Sequence, residues 1–321
     1  MQGIFEKARK FIYRNARPLD FARWRYFFED GAAQDVVRAL TAYQNPDGGF
    51  GHGLEADTLN PNSAPIQTWN ATVILREIGL FDPEHPVVEG INRYLTSGKH
   101  FDGHCWADSI ITNNDYPHAH WWSFSESTDL SKRVYNPGAS LAGWLLRTAQ
   151  PGSVGYALGK RIAQEAREWY MKAMQENDMH LLGCLITLCN DVKITEPELF
   201  DADAMLDKLR GDVHARLLGD VGSWETSYCA MPSDLIGCQE DLFYKGIEAL
   251  NEKECVFICT TQQEDGSWKV PWRWSDYPNE FAVSANYWKS YIIIKNILFL
   301  KKNGSTLTKQ TRVFANSGLF C

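Results

Sequence analysis

Apolar residues recur three and four positions apart over 3–15, 18–29, 32–44, 65–78 and 83–94, the period of a helix with one buried face. The same pattern runs over 137–148, 154–174, 178–189, 202–218, 234–249 and 281–300. Several of these stretches follow an Asp, Asn or Ser that can cap free amide groups. Pro18, Pro65, Pro83 and Pro137 suit first helical turns, where a missing N–H costs nothing. No long run alternates with period two, so an all-α fold with minor β structure is expected. One body over 1–303 is expected, followed by a polar, weakly patterned tail over 304–321.

The helical pattern is punctuated by a repeat. Gln44-Asn45-Pro46-Asp47-Gly48-Gly49-Phe50 matches Gln262-Gln263-Glu264-Asp265-Gly266-Ser267-Trp268 as Gln-x-x-Asp-Gly-small-aromatic, and each copy lies between helices. Weaker copies, Phe101 to Trp106 and Asp220 to Trp224, place the Asp at 47, 102, 220 and 265. With one degenerate copy between 150 and 200, the unit is a helical hairpin of about fifty residues. Physically, the Asp accepts amide hydrogen bonds, the glycines permit positive φ and the ring covers the end of the hairpin, so Asp47 and Asp265 read as turn residues.

These motifs resemble those of the α/α-toroid superfamily, which includes squalene and terpenoid cyclases and protein prenyltransferase β subunits. Gln262 to Trp268 is similar to the cyclase Gln–Trp repeat, and Pro46 to Gly51 is similar to the prenyltransferase repeat. The resemblance implies a single (α/α) toroid or barrel of about five to six hairpins. It also implies that the segments after residues 50, 106, 224 and 268 line one mouth of a central cavity.

Composition narrows the chemistry. The net charge of −8 disfavours nucleic acid and anionic lipid as partners. The start of the chain lacks a secretory pattern, and the apolar stretch at 291–300 is too short to span a bilayer, so a cytoplasmic protein without a membrane span is expected. The eight cysteines include no CxxC pair and read as reduced core thiols. Aromatic residues make up 13% of the chain, and many of the tryptophans fall in loop-like segments, which suggests a ring-lined site.

Four clusters carry candidate chemistry. In the first, His52 precedes Glu55 and Asp57, two carboxylates on a constrained loop whose repulsion raises one pKa and leaves a general acid; the alternative is a pair of solvated loop acids or caps. The second holds His104, Cys105, Asp108, Asp115, His118, His120, Trp121 and Trp122. His118 or His120 suits a proton carrier or polar contact, and at least one of the paired tryptophans must be buried as packing. The third, Trp272, Trp274, Asp276 and Tyr277, offers aromatic faces that suit either carbocations or sugars. In the fourth, Glu225 and Tyr228 lead toward Asp234, and a carboxylate there opposed to Glu55 fits glycoside hydrolysis.

By resemblance, the leading expectation is an enzyme like the class II terpenoid cyclases, with Glu55 or Asp57 as proton donor. Trp69, Trp121, Trp122, Trp272 and Trp274 then form an aromatic cage for an isoprenoid-type substrate. The cyclase DxDD motif is absent, and Glu55-Ala56-Asp57-Thr58 is a partial analogue. No cofactor is expected. Zinc, held in the prenyltransferases by Asp, Cys and His, is the alternative along with magnesium, although Cys105 here precedes Asp108. Two other classes stay open: a carbohydrate-active hydrolase or lyase with paired carboxylates, and a non-catalytic binding module for a small apolar or saccharide ligand.

Overall fold

A computed structural model describes residues 2–125, 135–173, 176–237 and 241–303; the tail at 304–321 lies outside them. The described chain is all-helical: α1 (Gln2–Asn15), α2 (Pro18–Phe28), α3 (Ala33–Thr41), α4 (Pro65–Glu77), α5 (Pro86–Thr96), α6 (Gly138–Thr148), α7 (Val154–Lys172), α8 (Met179–Thr195), α9 (Ala202–Asp220), α10 (Pro232–Leu235), α11 (Glu248–Thr261) and α12 (Pro278–Asn303). Among the described residues β pairing is limited to isolated bridges, two of which close the loop between α3 and α4.

Helix boundaries follow local chemistry. Pro18 and Pro65 stand in first turns as expected. In the third case Pro86, not Pro83, starts the helix, because the His85 side chain accepts the Val87 amide and caps it. Asp178 accepts the amides of His180 and Leu181 and starts α8. The single helix expected over 234–249 is instead the short α10 followed by turns, with α11 beginning only at Glu248. Among the described residues the cysteines are free, and five of the six are buried.

The chain divides into two compact units. Unit 1 comprises Met1–Ala39, Val213–Arg273 and Phe281–Cys321. Its core draws Phe11 and Ile12 from α1, Trp24 from α2, Cys255 and Ile258 from α11, and Ile293, Ile294 and Ile297 from α12, all buried around Trp268. Burial of such side chains stabilises by roughly 1.5–3 kcal/mol each.

Unit 2 comprises Leu40–Asp212 and Trp274–Glu280. Here α6 packs against α4, α5, α7 and α8, and α5 also packs against α7. Nearly every residue of α6 is buried. Its small residues allow close approach: a Cβ on Gly143 would lie 2.4 Å from the Asp191 carboxylate of α8. Asn92 ties α5 to α6 by donating to the Thr148 carbonyl and accepting from the Trp144 indole. Arg76 of α4 pairs with Asp191 at 2.7 Å.

The two strong repeat copies build the same corner, one in each unit. Gln44 donates to the Gly48 carbonyl and to Val87 of α5, and Gln262 donates to the Gly266 carbonyl and to Ile4 of α1. Asp47 accepts the Gly49 amide and Asp265 the Ser267 amide. In both, the pull of burial is outweighed by hydrogen bonds (from Ser63, Lys99 and Gly49, and from Ser267 and Lys289), which hold the carboxyl below its ordinary range. Ionised and fully engaged, both are turn residues. The third copy keeps part of this design: Asp102 accepts the amides of His104 and Cys105, while Trp106 donates to Leu95 of the preceding helix, as Trp268 does to Ile258. The fourth departs from it, since Trp224 and Asp220 both bond to Ala230 instead.

Candidate functional site: a buried carboxylate pair in unit 2

The loop between the first corner and α4 is held by side-chain amides. Gln67, in the first turn of α4, accepts the Leu54 amide and donates to the Asn60 carbonyl, each at 2.9 Å. The Asn60 side-chain amide donates to Thr112 and Asn113, and its Oδ1 accepts the Asn62 backbone amide. A bridge between Thr58 and His118, with Ala119 donating to the Asp57 carbonyl, fixes the loop to the segment at 117–119. Such a satisfied polar network makes the loop rigid.

Rigidity of this kind places two carboxylates inside the protein. Glu55 is 6% and Asp57 3% exposed. The Asn70 amide donates to Glu55 Oε2 at 2.6 Å, and the Trp274 indole donates to Asp57 Oδ1 at 2.8 Å. Both donors are neutral, and each contact becomes a stronger, charge-assisted bond when the carboxyl ionises.

His118 is buried beside this loop, and both ring nitrogens are taken up locally. Nδ1 donates to the Tyr116 carbonyl at 2.7 Å, which fixes the proton there, and Nε2 meets the Ser123 hydroxyl at 3.0 Å. Its ring lies 6.1 Å from that of Tyr277. Trp69 and Trp122 pack on a small apolar cluster of Ala64, Ile66 and Ile110. Their indole nitrogens are buried without an acceptor, as is the Thr58 hydroxyl.

The remaining expected residues make other contacts. His52 is exposed, with φ of +61°, and bonds to Asn45 within the corner. His120 and Trp121 are exposed and stack edge to face on one another, so of the paired tryptophans it is Trp122 that serves packing. Asp276 is exposed and meets Ser275. In unit 1, Glu225 is exposed, Asp234 is paired with Lys295 at 2.6 Å, and Tyr228 packs edge to face on Trp272, which in turn meets Trp288.

A zinc set built from the second cluster does not fit. His104 is paired with Glu165, His118 is consumed by its loop, and Asp108 accepts the Ser109 amide. Among the described residues no three His, Cys, Asp or Glu side chains group as metal ligands. No described helix is long and apolar enough to cross a membrane.

The sequence reading missed Asn60, Gln67 and Asn70. Gln67 and Asn70 stand three apart on α4 and so share a face, and a pair of side-chain amides at that spacing in the first turns of a helix is a signal that could have found them. Comparison with protein-family models, curated proteins and solved structures finds no match.

Proposed function

We propose that the protein is an enzyme resembling class II terpenoid cyclases, protonating an isoprenoid-type substrate from Glu55 or Asp57. The observation that carries this reading is the burial of both carboxyls on one rigid loop, each facing a neutral N–H donor. A carboxylic acid that gives its proton to a carbon–carbon double bond leaves a carboxylate behind. The bonds from Asn70 and Trp274 strengthen as that charge develops, which favours the transition state over the ground state. The carbocation formed is stabilised by nearby ring faces, a role for Trp69, Trp122 and Trp274. His118, held at both nitrogens, positions the loop through its bridge to Thr58.

In the same proposal, the hairpins are repeats of an (α/α) toroid. Two features support it: the equivalent seating of the two corners, on α5 and on α1, and the neighbouring order α4, α6, α8 within unit 2.

The test is turnover of squalene and geranylgeranyl diphosphate by the full chain, with Glu55→Gln and Asp57→Asn as variants. Loss of a general acid lowers the rate by about 100- to 10,000-fold, so at least one variant is expected to lose product formation. Turnover retained in both overturns the assignment. Thermal stabilisation by oligosaccharides and by no isoprenoid replaces it with a carbohydrate-active enzyme; a ligand at a hundred times its Kd stabilises by about 2.7 kcal/mol.

A further inference from the structure

Unit 1 contains an aromatic ladder drawn from three separate parts of the chain. Tyr228 meets Trp272 at 4.8 Å and 70°, Trp272 meets Trp288 at 5.1 Å and 80°, and Trp288 meets Tyr291 at 5.5 Å and 87°. The end members, Tyr228 and Tyr291, are 48% and 37% exposed. The two central tryptophans have buried indole nitrogens with no hydrogen-bond acceptor. The other tryptophans of this unit behave differently: Trp24 donates to Glu29, Trp224 to Ala230 and Trp268 to Ile258. An unmet buried donor is costly, and two in contact within one cluster stand out against three neighbours that are satisfied.

We propose that this ladder is a binding site for an apolar molecule carrying a hydroxyl or carbonyl oxygen, which accepts from the N–H groups of Trp272 and Trp288. The edge-to-face geometry decides against a sugar. Saccharides stack on free ring faces, and here the faces between successive rings are occupied by the edges of their neighbours. What the cluster offers is apolar ring edge plus two donors. Tyr228 is the ladder member most open to solvent. The site stands on unit 1 alone and is independent of the acid proposed for unit 2.

The experiment uses the full chain with farnesol, the hydrocarbon β-farnesene and the unbranched 1-decanol. Binding is followed by tryptophan fluorescence and by the indole N–H resonances of 15N-labelled protein. Farnesol is expected to bind about fivefold or more tighter than farnesene, the size of one net hydrogen bond, and to shift two indole resonances. Trp272→Phe and Trp288→Phe keep the ring edge, remove the donor and are expected to bring the two affinities together. Equal affinity for farnesol and farnesene in the parent overturns the proposal, as does an undiminished preference in both variants or no binding of any of the three probes. Binding of 1-decanol and farnesol alike supports the site and marks the oxygen as the recognised feature.

Discussion

Gly48 and Gly266 sit at φ of +93° and +94°, and a Cβ on either would lie 2.0 Å from the Gly90 carbonyl oxygen or 2.2 Å from that of Lys7. Gly79 has φ of +71° with nothing within 4 Å of its Cβ position. Alanine at 79 is therefore expected to cost about 1–2 kcal/mol, the strain of the left-handed region alone. At 48 or 266 the collision with backbone adds to that strain, and a total of roughly 3 kcal/mol or more is expected in urea unfolding. These glycines were legible from sequence because their chemistry is local: the Asp and the glycines of a corner act within a few residues of one another. Glu55 and Asp57 were legible for the same reason, as two acids on one short loop. Their partners were not. Trp274 lies 217 positions from Asp57, and no spacing within the chain announces that pairing.

At the scale of helices, α8 begins where Asp178 accepts the amides of His180 and Leu181 at 2.8 and 3.1 Å. Asp178→Ala is expected to lower stability by about 1 kcal/mol, measurable as a shift in the urea midpoint. A second junction is pH-sensitive. Glu254 of α11 is fully buried and accepts both the amide and the hydroxyl of Ser233 on α10, while Asp234 of α10 pairs with Lys295 of α12. Burial pushes the Glu254 carboxyl up to about 7, against the opposing pull of Lys295 and Ser233. A raised acid stabilises below its unfolded value, and that contribution is lost as pH rises toward the folded one. The parent is thus expected to lose stability relative to Glu254→Gln between pH 4.5 and 7, on the order of 3 kcal/mol in paired denaturation curves. This part of the chain was also the least legible: apolar spacing over 234–249 has a helical period, but the backbone turns extended at Ile236 and the helix ends at Leu235. Where a first-turn proline (α2, α4) or a cap (α8) agreed with the period, the reading and the structure coincide to within a few residues, except that α8 runs on to Thr195.

Across the whole molecule, burial is unevenly distributed. Helix α6 is buried over nearly its whole length and α8 along one broad face, whereas residues 223–228 are mostly exposed. Hydrogen exchange is expected to be slowest in α6 and α8 and fast at 223–228; comparable protection in both would contradict this distribution of burial. Finally, the corner built by Gln262 rests on Ile4 of the first helix, 258 residues earlier in the chain. On a ribosome adding about 5–20 residues per second, that partner arrives some 10–50 s after α1 has emerged. Throughout that interval Phe11 and Ile12 lack the α11 and α12 side chains that later cover them. Helix α1 is thus completed only after α11 and α12 have been made, and in the interval a nascent chain carries the part of its apolar stripe that they later cover.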